Sequence, residues 1–221
     1  MTGFQIGVDE AGKGPVLGPM IAAAVRADEA DLPDGVADSK RLTAAKRESL
    51  ADRLQATDGV DIGVGVVTVQ EIDDPETDMN RLTVSAQVRA IAAVAEAGDQ
   101  AIVDAGDVSE SRFGRRVTEG VASESIDIVV TAEHGADDSH QLAAAASIVA
   151  KVERDSRMAA VGADYDDCSP VGSGYPSDPT TRAFLESYVD RHGELPACAR
   201  RSWSTCEDLL TAKQQADLGD F

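Results

Sequence analysis

The sequence predicts an α/β fold in which a mixed five-stranded sheet is flanked by helices and followed by a helical carboxy-terminal region. Three closely spaced strand-like segments come first, and two further strands then alternate with helical segments, which is the order of a mixed sheet. The last part of the chain contains helical patterns and loops without a convincing strand. We therefore predict a core over 1–160, a helical region over 161–210 and a flexible tail over 211–221.

The strands are predicted from short apolar runs that are bounded by turn residues. The third run alternates apolar and small side chains, which is the period of a strand with one buried face. The predicted strands are 4–8, 20–26, 61–69, 101–104 and 126–132.

The helices are predicted from capping residues and from the spacing of apolar side chains. Thr43 can cap a helix that ends near Ala56 and carries Leu50 and Leu54 on one face. An Ala- and Val-rich helix begins at Asn80 or Thr83 and ends before a glycine. The other helices are predicted over 110–120 and 141–159, after 177–179 and around Trp203.

The composition limits the class of protein. With 43% hydrophobic residues the chain can build a core, and it has no apolar run of the roughly 20 residues that span a membrane. Its acidic beginning lacks the basic segment of a signal peptide. The three cysteines have no zinc-ligand spacing and indicate a reducing compartment. We expect a cytoplasmic monomer with no membrane partner.

The charge is unusual for a protein that meets nucleic acid, which is normally basic. Forty Asp and Glu against twenty Lys and Arg give a net charge of −20. One explanation is an acidic protein with basic partners. The other is adaptation to molar salt, where a screening length of about 3 Å suppresses self-repulsion. The acids are spread along the chain, which favours the second explanation and resembles proteins of extremely halophilic archaea.

Carboxylates follow three of the predicted strands. Asp9 and Glu10 end the first, Asp104 ends the fourth, and Asp137 or Asp138 follows the fifth. Since strand ends of an α/β sheet commonly form its site, we expect these side chains to lie together. Hard oxygen ligands without a Cys or His cluster favour Mg²⁺ or Mn²⁺ over Zn²⁺. The sequence therefore predicts a divalent-metal site.

A glycine-rich turn, Gly12-Lys13-Gly14, comes directly after the first two carboxylates. Glycines let a backbone approach a ligand closely and expose its N–H groups. An acidic turn without function is the alternative for each carboxylate taken alone. Adjacent carboxylates at the end of an apolar strand, however, need compensating charge.

Together these motifs resemble ribonuclease HII. Six segments occur in that family's order: DEAGKGPVLGPM (9–20), DSKRLT (38–43), IVDAGD (102–107), AEHGADDSHQLAAAASIVAKVERD (132–155), GSGYPSDP (172–179) and RSW (201–203). The resemblance, closest to archaeal members, implies a ribonuclease H-like fold. It also implies an endonuclease that cuts the RNA strand of RNA–DNA hybrids and single ribonucleotides embedded in duplex DNA. Catalysis would use two Mn²⁺ or Mg²⁺ ions and leave 5′-phosphate and 3′-hydroxyl ends.

The resemblance also assigns catalytic, metal-binding residues. Its four carboxylates fall on Asp9, Glu10, Asp104 and Asp137. The last is chosen over its neighbour Asp138 because the family's acid follows a small residue that comes after a basic one. That basic position is a glycine here, which removes a possible phosphate contact.

The implied substrate-binding groups lie in the turn and near the long helix. The family contacts the ribose through a turn backbone and a tyrosine, and it has polar groups near the substrate phosphate. Lys13 stands where the family more often has Arg, which should be tolerated because the backbone makes the contact. A solvated helix face is the alternative for Lys151. By position these groups are Gly12, Lys13, Gly14, Tyr175, Ser147 and Lys151.

Other conspicuous residues have structural interpretations. We expect His134 and His140 to be incidental and Asp107 to lie at the surface. Trp203 should pack the helical region against the core.

The end of the chain resembles the peptide by which many replication proteins bind a sliding clamp. The spacing Gln215-x-x-Leu218-x-x-Phe221 suits a polar pocket and an apolar one. A frayed acidic terminus is the alternative. Two other functions also stay open at this point: another nuclease of the same fold, such as a resolvase, and a non-catalytic acidic interaction protein. A resolvase should not need both the glycine-rich turn and Tyr175.

Overall fold

The sheet is the centre of the molecule. The computed structural model describes residues 5–36, 42–165, 168 and 170–219, with 216–219 described by their backbone alone. The strand order is β3-β2-β1-β4-β5; β1 pairs antiparallel with β2 and parallel with β4. The predicted mixed five-stranded sheet is confirmed. The strands are β1 (Gln5–Ala11), β2 (Met20–Ala27), β3 (Asp61–Val67), β4 (Gln100–Asp104) and β5 (Val129–Glu133).

Helices cover the sheet and form the carboxy-terminal region. Side chains of Thr43, Asp78 and Asp178 accept hydrogen bonds from the first turns of three of them. None of the described helices is long and apolar enough to cross a membrane. The helices are α1 (Ala44–Ala56), α2 (Val69–Ile72), α3 (Met79–Ala92), α4 (Glu110–Ser123), α5 (Ala136–Ser139), α6 (Gln141–Asp164), α7 (Pro179–His192) and α8 (Ser204–Gly219).

Several predicted boundaries differ from the structure by a few residues. The helix α6 continues past residue 160, where the core was predicted to end, and α8 continues as helical backbone to Gly219. The predicted first strand began at Phe4, and most of the motif 38–43 precedes Leu42; both Phe4 and residues 38–41 lie outside the described residues.

Glycines let the helices approach the sheet closely. A Cβ atom on Gly7 of β1 would lie 2.0 Å from the backbone carbon of Leu142 in α6. On the other face, a Cβ atom on Gly65 of β3 would lie 2.0 Å from the carbonyl oxygen of Ala86 in α3. These contacts bring α6 and α3 against opposite faces of the sheet, where each can reach the end of β1.

The carboxy-terminal region packs on the loop between β1 and β2. Backbone N–H groups of Val16 and Leu17 donate to Gly174 O at 2.8 and 3.1 Å, and Gly18 N–H donates to Cys198 O at 2.8 Å. Trp203 contacts both the core beneath α3 and the apolar cluster beneath α7, so its predicted packing role is confirmed. The carboxy-terminal region thus lies directly beside the loop between β1 and β2.

Candidate active site

Three carboxylates meet at the ends of β1 and β4. Asp9 and Glu10 are successive residues of a strand, so their side chains start toward opposite faces of the sheet. One carboxylate oxygen from each of them and one from Asp104 nevertheless lie within 4.8 Å of one another. The predicted meeting of these three side chains is therefore present in the structure.

Polar side chains of α6 and α3 form hydrogen bonds with Asp9 and Glu10. The hydroxyl of Ser147 on α6 donates to Asp9. On the opposite face, Nε2 of Gln87 on α3 donates to Glu10 Oε2 at 2.8 Å and to the backbone oxygen of Asp104 at 2.9 Å. The two helices thus fix the two carboxylates from opposite sides of the sheet.

Burial makes the cluster electrostatically unfavourable. Asp9 is only 6% exposed. Burial and, to a smaller extent, the charge of Asp104 raise the pKa of Asp9 to about 6, against the hydrogen bond from Ser147. Burial and the charge of Asp9 raise the pKa of Glu10 to about 8. Carboxylates with raised pKa values at such short spacing lack compensating positive charge.

Asp137 lies beside the cluster and not within it. It is carried by the short helix α5, which follows Gly135 in the left-handed conformation (φ +65°). The N–H of Ala136 in α5 donates to Asp104 Oδ1 at 2.9 Å, which ties the helix to the cluster. The charge of Asp137 contributes to the raised pKa of Asp9.

The chemistry of these residues fits a divalent cation. Hard carboxylate oxygens are preferred ligands of Mg²⁺ and Mn²⁺. A bound cation would also supply the positive charge that the raised pKa values of Asp9 and Glu10 show to be missing.

A groove of about 410 Å³ opens beside Glu10 and has the glycine-rich turn on its wall. Tyr175, which is 41% exposed, forms another part of the wall. A Cβ atom on Gly14 would lie 3.9 Å from the Tyr175 ring, so ring and turn are neighbours. The cation of Arg154 lies 5.3 Å from the centre of the same ring. In a strongly acidic protein this groove is rich in basic groups, namely Lys13, Arg47, Lys151 and Arg154.

Comparison with known proteins places the chain in a family. Residues 6–206 match the family model of ribonuclease HII. A ribonuclease HII from Haloarcula marismortui is 58% identical over 99% of this chain and 100% of its own length. The chain belongs to the ribonuclease HII family. It is an enzyme of the hydrolase class, and the family's substrate is the RNA of RNA–DNA hybrids. The resolvase and the non-catalytic hypotheses are thereby set aside.

Solved structures of ribonuclease HII relatives agree with this membership. The crystal structure of ribonuclease H2 from Pyrococcus horikoshii matches with a TM-score of 0.85 and 36% identity, covering 96% of this chain and 99% of that one. A structure of the PCNA:RNase HII complex from Archaeoglobus fulgidus matches with a TM-score of 0.78 and 35% identity, covering 93% and 96%.

The remaining residues that the ribonuclease HII resemblance singled out lie near the cluster. Ser147 is fully buried, and Lys151 Nζ donates to its hydroxyl at 2.6 Å. Ser147 is therefore in a position to support Asp9, whereas Lys151 lines the groove. Lys13 Nζ donates to the backbone oxygen of Gly106, in the loop after β4. Gln215 is exposed on α8; the side chain of Leu218, and all of Phe221, lie outside the described residues.

One expectation about this site was wrong. Asp107 was predicted to lie at the surface, but it is only 7% exposed. Arg112 donates to both of its carboxylate oxygens, at 2.6 and 2.9 Å, and holds its pKa below the ordinary value. Asp107 thus anchors the loop after β4, and His134 Nε2 lies 2.8 Å from the backbone oxygen of Asp107.

Two buried polar residues of the site were not predicted. Gln87 has no exposed surface and lies on an otherwise largely apolar face of α3. Arg200, also fully buried, binds the backbone of the glycine-rich turn. The only sequence signal was a glutamine within an apolar helical pattern and an arginine directly before the RSW motif.

Proposed function

We propose that this chain cleaves the phosphodiester backbone at ribonucleotides, both in the RNA strand of hybrids and at single ribonucleotides embedded in duplex DNA. The observation that carries the proposal is one groove in which Glu10 of the carboxylate cluster lies beside the glycine-rich turn and Tyr175. Such a groove combines groups for hydrolysis with groups that can recognise a ribose by hydrogen bonds.

The ribose would be read by hydrogen bonds. The N–H groups of Lys13 and Gly14 have no acceptor within the described part of the chain. The exposed Tyr175 lines the same groove, and its hydroxyl would supply a further hydrogen-bonding group. Only RNA offers a 2′-hydroxyl to these groups. A site built to bind a hydroxyl disfavours a substrate that lacks it, because its own polar groups are left unpaired.

The carboxylates would hold the metal. Asp9, Glu10, Asp104 and Asp137 are proposed to bind two Mg²⁺ or Mn²⁺ ions, which supply Lewis-acid stabilisation of the attacking and leaving oxygens. Gln87 and Ser147 orient Glu10 and Asp9, and Lys151 contacts the substrate phosphate. The products would have 5′-phosphate and 3′-hydroxyl ends.

The test uses three duplexes of one sequence: a hybrid, a DNA duplex with one ribonucleotide, and all-DNA. We expect metal-dependent cleavage of the first two, analysis of the ends to give 5′-phosphate and 3′-hydroxyl, and no cleavage of the third. Asp104→Asn and Asp137→Asn should each lose at least about 100-fold in rate, whereas their matched control Asp138→Asn should not. Calorimetry should show weaker Mn²⁺ binding by Asp104→Asn. Equal cleavage of all three duplexes would refute the proposal, and near-normal turnover of Asp104→Asn would refute the metal assignment.

We further propose that the tail binds the sliding clamp. The support is the spacing of Gln215, Leu218 and Phe221, together with the relative from Archaeoglobus fulgidus whose structure is a complex with PCNA. A tether of this kind raises local concentration without changing the active site. A chain that ends at Lys213 should cleave free oligonucleotides at the normal rate and lose binding to the clamp of the same organism. Equal clamp binding by both chains, measured by calorimetry, would exclude the tail.

A further inference from the structure

Arg200 is a buried cation whose recorded hydrogen bonds all go to backbone carbonyls. It has no exposed surface and, among the described residues, no salt bridge to a carboxylate. Its Nε donates to Gly18 O at 2.9 Å, and its two terminal nitrogens donate to Lys13 O at 3.1 Å and to Gly12 O at 2.6 Å. The glycine-rich turn is thus bound from inside the protein by one guanidinium.

Trp203 completes this support. Its ring centre lies 5.0 Å from the guanidinium carbon of Arg200. Its indole Nε1 donates to Gly14 O at 3.3 Å. All three carbonyls of the turn therefore accept hydrogen bonds from the segment 200–203. The planar, multi-donor fork of arginine suits such a set of acceptors, which a compact ammonium does not match.

The charge of Arg200 is costly to bury. Burial lowers the pKa of Arg200 to about 10, and the nearby cation Arg154 acts in the same direction. Charged groups are costly to bury unless they are well compensated. A neutral side chain would avoid the cost of the charge but would leave the carbonyls of Gly12, Lys13 and Gly18 without these donors. The arrangement is explained if the direction of the turn's peptide groups is what matters.

The carbonyls determine where the N–H groups point. The described peptide bonds are all trans, and in a trans peptide the C=O and the N–H point in opposite directions. When Gly12 O and Lys13 O face Arg200, the N–H groups of Lys13 and Gly14 face away from it, toward the groove. Gly12 has φ +91°, and glycine has no side chain that would fix the direction of its peptide groups.

We propose that Arg200 is a positioning residue for ribose selectivity: it holds the two N–H groups of the turn in the direction that binds a 2′-hydroxyl. The proposal rests on the function proposed above. Arg200 itself does not touch substrate. Its replacement should therefore reduce the preference for ribonucleotide and should leave the attraction for duplex DNA and the metal site unchanged.

The experiment measures selectivity as the dissociation constant of the all-DNA duplex divided by that of the duplex with one ribonucleotide. In an Asp104→Asn background, which prevents cleavage, duplexes with and without one ribonucleotide are bound at one fixed KCl concentration. Arg200→Lys should lower the ratio at least tenfold, with less than a twofold change for the all-DNA duplex. Mn²⁺ binding by Arg200→Lys with Asp104 intact should equal that of the wild type. Arg182→Lys, an exposed substitution of the same kind on α7, should leave all values unchanged.

Two outcomes would overturn the proposal. One is a folded Arg200→Lys protein, judged by its melting curve, whose ratio stays within twofold of the parent. The other concerns the parent chain and needs no substitution at Arg200: the amide NMR signals of Lys13 and Gly14 should shift with the ribonucleotide duplex and not with all-DNA. Identical shifts with both duplexes would exclude the turn as the reader. Failure of the wild type to cleave at ribonucleotides would instead refute the proposed function.

Discussion

Individual residues of the site work against the stability of the metal-free protein. Glu10 and Asp9 are more easily protonated in the folded state than in an unfolded chain, because burial raises the pKa values of both. A site that stabilises its charges only when a ligand supplies the opposite charge is typical of functional positions. Gln87 offsets part of this cost for Glu10, since its amide favours the ionised carboxylate.

The pH dependence of stability tests this directly. The folded pKa of Glu10 is about 8, above an unfolded value of about 4.3. Its stabilising contribution is therefore complete below the unfolded value and is lost as pH rises through 8. In EDTA, the stability of Glu10→Gln relative to the wild type should therefore rise by about 3–4 kcal/mol between pH 5 and pH 8.5. Urea unfolding at the two pH values measures it, with exposed Glu186→Gln as the control. A difference that does not change with pH would contradict the assignment.

Site residues could be predicted from the sequence where their position relative to a strand determines where they lie. Asp9 lies near the end of β1 and Asp104 ends the parallel strand β4, so their meeting at one edge of the sheet could be predicted. Gln87 and Arg200 could not be predicted, because a pattern does not show which of two neighbouring polar side chains is buried. Their partners lie 77 and 188 positions away in sequence, a distance that only the folded chain closes.

At the scale of elements, the site depends on how closely α6 approaches β1. Gly7 has no side chain, and α6 begins with a run of alanines over 143–146, so the two backbones come into contact. This approach brings Ser147 to Asp9. The long strands and helices were predicted because each shows several periods of its pattern. The helix α5 was not predicted, since four residues are too few to show a helical period.

Replacing Gly7 should therefore disturb fold and site together. In Gly7→Ala the added Cβ would lie 2.0 Å from the backbone of α6, which must move. We expect a loss of about 1–3 kcal/mol in the free energy of unfolding, together with reduced activity because Ser147 leaves Asp9. Gly162→Ala is the matched control near the other end of α6. Its Cβ makes an ordinary 3.4 Å contact with Val171, and alanine favours the helix by about 0.5–1 kcal/mol. Equal stability of the two variants in chemical unfolding would show that the close approach is not required.

The molecule as a whole is strongly acidic and still retains a basic groove. The net charge of −20 agrees with the relatives from halophilic archaea. The acids lie mostly on exposed loops and helix faces, whereas Lys13, Lys151 and Arg154 line the groove beside the carboxylates. The excess of negative charge on the exposed surface is therefore accompanied by a group of positive charges in the groove.

The last prediction concerns this surface. Since the screening length falls from about 10 Å at 0.1 M salt to about 3 Å at 1 M, self-repulsion of the folded chain should be strong in dilute buffer and weak in molar KCl. The melting temperature should accordingly rise steeply from 0.1 to 2 M KCl. As a matched control, a variant exchanges five exposed acids remote from the groove for Lys. Each exchange removes one negative charge and adds one positive charge, so five exchanges move the net charge from −20 to about −10. This variant should show a clearly smaller rise, with its cleavage rate in molar KCl unchanged. Identical salt dependence of the two proteins would mean that the surface charge does not set the requirement for salt, and that specific ion binding must be sought instead. The five positions are Asp52, Asp58, Glu124, Asp127 and Glu186.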